Sequence, residues 1–278
     1  MKVAKSLAVM GAWRKRRTGR LVFVPTMGAL HHGHAALIRS ARQLAGRRGT
    51  VVVSIFVNPT QFGPKEDFSS YPRPWRKDLA ICRESGADAV FAPSPGEMYC
   101  EDRSVTVEES ILSETLCGRS RPGHFRGVCT VVAKLFLIVQ PTHAVLGEKD
   151  WQQLAILRRM VRDLNFPVTV IGHPTVREPD GLATSSRNAY LLPGERAVAP
   201  RIQAALLAAA CKKSPAAIES AAAKMITRIP GARLDYVQAV DAATLQPLKN
   251  RKAAGRLAAA VFLGKARLID NIPLPANP

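Results

Sequence analysis

Residues 20–49 read RLVFVPTMGALHHGHAALIRSARQLAGRRG. The opening RLVFVPT is a short apolar run that ends in a proline, which predicts a buried strand entering a turn. From His34 onward apolar residues recur at Leu37, Ile38 and Leu44 with helical spacing, and a glycine-rich stop follows, which predicts a helix. The segment between them holds His31, His32 and His34, fenced by Gly28 and Gly33. Strand, tight turn and helix is the first half of a βαβ unit, and the rest of the chain repeats that rhythm.

TVVVSIFVN (50–58) is a second β-branched run without polar alternation, as expected of a strand covered on both faces. Asp78–Gly86 reads as a helix and ADAVFAP (87–93) as a third strand. VCTVVAKLFLIVQP (128–141) is apolar nearly all round and predicts a buried helix. HAVLG (143–147), WQQLAILRRMVRDL (151–164) and PVTVIGHPT (167–175) read as strand, amphipathic helix and strand. Alternating strands and helices predict an α/β fold, a Rossmann-like doubly wound parallel sheet. After SSRNAYLLP (185–193) the texture changes. Residues 196–230 are alanine-rich helices, and RLDYVQAVDAATLQPL (233–248) and RLAAAVFLGKARLIDNI (256–272) read as strands. The expected division is a Rossmann-like domain over 1–176 and a smaller C-terminal α+β domain over 177–278.

At 278 residues and 47% hydrophobic content the chain can bury a substantial core. No apolar run approaches the ~20 residues that span a bilayer, and the basic start MKVAKSLAVMGAWRKRRTGR is too interrupted for a signal peptide. A cytoplasmic protein with no membrane partner is expected. Five cysteines (82, 100, 117, 129, 211) form no CxxC pair, which predicts free, mostly buried thiols rather than a zinc ribbon or a disulfide framework. The net charge of +19 welcomes polyanions, but it is dispersed apart from WRKRR (13–17) and GRR (46–48). A nucleic-acid binder concentrates its charge on one face, so no nucleic-acid partner is expected.

The histidine turn admits a metal site, a structural turn or a nucleotide-binding turn. Ligands of doubly wound sheets sit at the carboxyl ends of strands, and a helix N-terminus offers unpaired amides and partial positive charge to phosphate. Gly28 and Gly33 remove side chains where a base or phosphate must approach. His31 and His34 share one face of the first helical turn, while His32 points elsewhere. A metal would need a further ligand, and no acidic residue lies in the segment. Three other segments favour the nucleotide. GEKDWQQL (147–154) puts Lys149 at another strand's carboxyl end. TSSRN (184–188) combines two hydroxyls and a guanidinium, suited to phosphate. FVNPTQFGPKEDFSSYPRP (56–74) is a strand followed by a loop of about fifteen residues, long enough to suggest closure over a substrate. Asn58 and Gln61 at its root are neutral, directional hydrogen-bonders suited to a hydroxyl-bearing acid.

PTMGALHxGH (25–34), FVNPxQF (56–62), RPGHFRG (121–127), GEKDxQQ (147–153), REPDGLAxSSRNxYL (177–191) and RLIDN (267–271) occur in this order and cover nearly the whole chain. Together they resemble the pantothenate synthetase (pantoate–β-alanine ligase) family. The resemblance implies a nucleotidyltransferase domain of the HIGH superfamily with a smaller C-terminal domain closing over the active site, usually in a homodimer. It implies ATP as co-substrate with Mg2+. Pantoate would attack the α-phosphorus to give pantoyl adenylate and pyrophosphate, and the amine of β-alanine would then displace AMP.

By motif, Met27, Gly28, Ala29, Leu30, His31, His32, Gly33 and His34 would line the ATP site, with His34 the proton donor and His31 its companion on the triphosphate. Gly147, Glu148, Lys149 and Asp150 would contact ATP, with Lys149 neutralising phosphate charge. Thr184, Ser185, Ser186 and Arg187 would act as the counterpart of the KMSKS loop, and Val176 would touch adenine through its backbone. Gln61 and Gln153 would hold pantoate, with Asn58 beside them and Gln61 also near β-alanine. Arg121 and His124 would serve the second half-reaction. No residue is expected to be a dedicated metal ligand. The chemistry agrees, because a carboxylate approaching a polyphosphate needs cations and donors fixed in advance. Four positions depart from the family's usual pattern: His32 where an acid is common, Thr142 for aspartate, Leu146 for phenylalanine and Thr184 for a larger apolar residue. Two other readings remain, a tRNA-linked enzyme of the same superfamily and a non-enzymatic basic nucleic-acid-binding protein.

Overall fold

The structure is a computed structural model describing residues 1–64, 66 and 68–276. The chain forms two compact units. One comprises Met1–Glu109, Arg121–Glu148 and Ile156–Pro174; the other comprises Ser110–Ser120, Lys149–Ala155 and the chain from Thr175 onward.

In the first unit, β1 (Lys2–Ala4), β2 (Leu21–Thr26), β3 (Thr50–Ile55), β4 (Ala89–Phe91), β5 (His143–Gly147) and β6 (Thr169–His173) form one sheet ordered β1-β4-β3-β2-β5-β6. Every neighbouring pair is parallel. Leu21, Val22, Phe23 and Val24 of β2, and Val51, Val52 and Val53 of β3, are all buried to within 1%. That is why these runs lack polar alternation: both faces of the strands are covered. Phe23 meets Phe136 of the His124–Val139 helix edge-on, with ring centroids 6.3 Å apart. On the other face Val22, Val24, Val51 and Val53 pack with Ile38 and Ala41 of the His32–Ala45 helix.

Strand order reverses between β2 and β5, so the topological switch point lies there. β2 pairs with β3 at every residue from Leu21 to Thr26, but with β5 only through Val22↔His143 and Phe23↔Ala144. β5 meanwhile pairs with β6 along its whole length. The sheet therefore parts at the carboxyl ends of β2 and β5. At the other end the Thr142 hydroxyl accepts from the Leu21 amide and donates to its carbonyl, at 3.1 and 2.9 Å; threonine thus joins the two strands there.

Three sequence expectations are refined. β1 was not foreseen, because three residues carry too little pattern to read. The Asp78–Gly86 helix runs from Trp75 to Glu84 and follows Pro74; Asp78 sits inside its first turn and spends its carboxylate on another segment. The strand 50–58 ends at Ile55, and Pro59–Gln61 forms a single 3-10 turn. Positions 65 and 67 of the long loop lie outside the described residues.

In the second unit, β7 (Ala232–Asp241), β8 (Gly255–Leu263) and β9 (Ala266–Leu274) form an antiparallel sheet, with helices Pro193–Val198, Arg201–Ala209 and Pro215–Ile226. Leu206, Ile218, Ile226, Leu257, Val261 and Leu263 share its core. The run 256–272 splits into a hairpin at Gly264–Lys265, where Gly264 takes φ +54°; two-residue hairpin loops require that left-handed backbone. All five cysteines are free, with Cys82, Cys117 and Cys129 buried and Cys100 and Cys211 exposed. Burial pushes the thiols of Cys82 and Cys129 up to about 12. Among the described residues no helix is long and apolar enough to cross a membrane.

Phe23→Ala should destabilise the protein by about 3–5 kcal/mol, the transfer and cavity cost of a buried aromatic in a close-packed layer. Urea unfolding of both proteins measures it; a loss below about 1 kcal/mol would contradict the packing described.

Candidate active site

In the first unit the candidate residues begin where β2 ends. The chain leaves Thr26, turns through Gly28 (φ +80°) and Ala29 (φ +50°), and enters the His32–Ala45 helix with His31 as N-cap. Thr26 ties the exit to β3: its hydroxyl donates to the Ser54 carbonyl at 2.6 Å and accepts from the Gly28 amide at 3.2 Å. The His31 and His34 rings lie 4.0 Å apart between centroids, while His32 is exposed. The one-face expectation for 31 and 34 therefore holds. Nδ1 of His34 accepts from the His31 amide at 3.4 Å. The neutral ring then carries its proton on Nε2, a donor.

Beside this turn, Asn58 and Gln61 are buried. Asn58 Nδ2 donates to Gln61 Oε1 and to the Gly127 carbonyl, both at 3.1 Å; Asn58 Oδ1 accepts from Tyr99 at 2.7 Å and from Thr60 Oγ1 at 2.9 Å. Asn58 is thus engaged on both ends of its amide and fixes Gln61. Gln61 Nε2 donates to Met27 Sδ at 3.0 Å. A thioether is a weak acceptor, so a substrate hydroxyl or carboxylate would displace it at small cost. Gly127 is required here: a Cβ would lie 2.3 Å from the Thr60 carbonyl oxygen.

Arg121 and His124 converge on the same turn from behind. His124 Nδ1 donates to the Gln61 carbonyl at 2.8 Å, and Nε2 accepts from Arg121 Nη1 at 3.0 Å. Arg121 grips Glu66 through Nε and Nη2, at 2.6 and 2.7 Å. Burial raises the Glu66 carboxyl, but the Arg121 hydrogen bond and charge outweigh it and hold the group below its ordinary range. RPGHFRG therefore braces Gln61 and the loop after it.

GEKD is divided between the two units: Gly147 ends β5 and Glu148 follows it in the first, and Lys149 opens a segment of the second. Lys149, Ser185, Asn188 and Asp270 line one small recess of the second unit. The Lys149 carbonyl accepts from Asn271 Nδ2 at 2.9 Å, and its ammonium lies 3.9 Å from Asp150. Asp270, 5% exposed, takes both terminal nitrogens of Arg177 at 2.8 and 2.9 Å. Thus RLIDN and REPDG clamp one another. Ser185 caps the turn Ser186–Tyr190 by accepting from the Arg187 amide at 3.3 Å. The Val176 carbonyl accepts from the Thr184 amide at 3.0 Å, and Thr184 is buried. Gln152 is buried and bonded to Leu112, Thr115 and Cys117, whereas its neighbour Gln153 is only half-buried.

A family profile described as pantoate–β-alanine ligase matches residues 2–273. The chain belongs to the pantoate–β-alanine ligase family. It is 54% identical to the pantothenate synthetase of Akkermansia muciniphila over 263 residues, 93% of this chain and 94% of that protein. It is 53% identical to that of Moorella thermoacetica over 91% of this chain and 90% of that one. The structure of pantothenate synthetase from Thermus thermophilus superposes with a TM-score of 0.92 at 46% identity, covering 99% of this chain and all of the other. A pantoate–β-alanine ligase from Francisella tularensis, complexed with βγ ATP and β-alanine, superposes at 0.81 with 34% identity over 98% and 97% of the chains. This ligase is an enzyme; the tRNA-linked and nucleic-acid-binding readings are not favoured.

Tyr99 and Glu66 in the first unit, and Asp270 and Asn271 in the second, hold the candidate residues of their own unit in place, and sequence reasoning assigned them nothing. RLIDN was the one signal available for the last two. Because the folded-state pKa of Glu66 is depressed, its stabilisation is complete above the ordinary value of 4.5 and is lost as pH falls through the lower folded value. Glu66→Gln should cost about 1 kcal/mol at neutral pH for this part-exposed pair, and less in acid. Denaturant midpoints of both proteins at pH 7 and pH 3.5 read this out; a difference that grows on acidification would refute it.

Proposed function

We propose that this ligase adenylates pantoate with ATP and then transfers the pantoyl group to β-alanine. A pantoate carboxylate oxygen bonds to the α-phosphorus while the bond to pyrophosphate breaks. The β-alanine nitrogen then bonds to the acyl carbon, AMP leaves with the carbon–oxygen bond's electrons, and the amine gives up a proton. The observation that carries this reading is the parting of β2 from β5 directly beside the His31–His34 helix start. It supports the reading because doubly wound sheets take nucleotides at such a parting, and an imidazole donor and a helix N-terminus suit phosphate.

The residue roles follow. His34 donates from Nε2 to phosphate oxygen as charge develops, and His31 stacks beside it on the triphosphate. Met27 to Gly33 shape the nucleotide cradle, His32 from its exposed outer side, with Gly147 and Glu148 at the end of β5. Lys149, Ser185, Ser186 and Arg187 act on the phosphates, with Asp150 beside Lys149, and Val176 and Thr184 shape the adenine pocket. Gln61, positioned by Asn58, and Gln153 hold pantoate; Arg121 and His124 keep Gln61 in place for the aminolysis.

Mg2+ bound with ATP would neutralise phosphate charge. Such an ion takes most of its oxygens from phosphates and water and one or two from carboxylates. Asp150, its side chain about half exposed beside Lys149, is an oxygen donor of that kind. The protein works in the cytoplasm as a homodimer; sedimentation velocity giving a single-chain mass would overturn the second point.

Pyrophosphate exchange into ATP should depend on pantoate. Exchange driven instead by a standard amino acid would overturn the assignment. His34→Ala and Lys149→Ala should each slow adenylation by about 10²–10³-fold, the scale of a lost transition-state donor. Gln61→Ala should chiefly raise the pantoate concentration required, and an unchanged requirement would remove that role.

A further inference from the structure

The turn that presents His31 and His34 has a support on its other side. Asp78, 1% exposed, reaches from the first turn of the Trp75–Glu84 helix to two successive backbone amides. Its Oδ2 accepts from Ala29 at 3.0 Å and its Oδ1 from Leu30 at 2.7 Å. Gly28 and Ala29 are both left-handed, a conformation that a residue with a Cβ adopts only when its surroundings impose it. Packing does not impose it alone, because a cavity of about 210 Å³ lies alongside, with Met27, Gly28, Phe56, Trp75 and Asp78 in its wall. The carboxylate spans the two amides next to that space. Gly28 answers to the same arrangement: a Cβ there would sit 3.0 Å from Asp78 Oδ2 and 3.0 Å from Ile55 Cγ2. Successive amides in such a turn form a concavity for an anion, and here the protein's own carboxylate fills it.

We infer that Asp78 is a positioning residue for the adenylation step: it fixes the Gly28–Leu30 turn and so the placement of the His31 and His34 rings, without touching the nucleotide. The amides of Ala29 and Leu30 are then committed to Asp78, and phosphate must be met by groups from His31 onward. Burial raises the Asp78 carboxyl above its usual range, and the Leu30 and Ala29 amides only partly offset this, as expected of a charge enclosed for a purpose other than stability.

The inference rests on the nucleotide-facing reading of His34, so Asp78→Asn and Asp78→Ala are compared with His34→Ala. Single-turnover formation of pantoyl adenylate is measured alongside aminolysis of supplied pantoyl adenylate by β-alanine. Asp78→Ala should slow adenylation by about 10²-fold, the penalty of an ångström-scale misplacement. Asp78→Asn should fall between it and the wild type, since one acceptor oxygen remains. Aminolysis should stay within about twofold. Equal losses in both steps, or normal adenylation in folded protein, would overturn the role. Unchanged adenylation in His34→Ala would instead overturn the reading beneath it. In the unmutated protein the Ala29 and Leu30 amides should resist hydrogen exchange in NMR spectra; exchange at the rate of open loops would overturn the proposal even if neither variant folded.

Discussion

β2 is hydrogen-bonded on both sides at Val22 and Phe23, and beyond them on one side only. The rest of the site depends on that loss of a neighbour. A strand at the centre of a parallel sheet is the most enclosed backbone in the molecule, and every amide and carbonyl there must find a partner. Where β5 diverges, β2 keeps β3, and the Thr26 side chain adds a bond to Ser54. The strand thus stays rigid to its last residue while one flank opens. A helix N-terminus, with its partial positive charge, is delivered at that point, next to a scaffold that cannot relax to fill the opening.

Much of the polar chemistry in each unit keeps other groups in place. Asn58 is held from both sides and in turn holds Gln61; His124 and Arg121 brace the Gln61 carbonyl. In the second unit, Asp270 fixes Arg177 and Asn271 fixes the backbone of Lys149. A side chain that must meet a developing charge gains most when its own freedom has already been removed. The motifs RPGHFRG, REPDG and RLIDN, which look like chemistry in the sequence, perform this restraint in the fold.

The strands were legible because buried parallel strands are continuous apolar runs, and the helices because their apolar residues recur at helical spacing. The histidine pair was legible for the same reason, since residues three apart on a first helical turn must share a face. β1 was too short to carry a pattern. The hairpin at Gly264 was hidden inside a run that is β-like on both sides of it. Asp78 was read only as the first residue of a helix; its carboxylate serves a turn 48 and 49 residues away, a partner that no local pattern announces.

The sequence by itself determined the alternation of strand and helix, the switch of texture after 185–193, the turn with its histidines and the family to which these motifs belong. Those properties are local, set by side-chain periodicity and by backbone conformations that only certain residues tolerate. Tertiary structure alone decided which carboxylate would hold the turn, which amide of the QQ pair would be buried, and which ring nitrogen of His34 would carry the proton. Each of these is a choice of hydrogen-bond partner between segments distant in the chain or across a turn of helix, and residue type leaves such a choice open until burial removes water as the alternative partner.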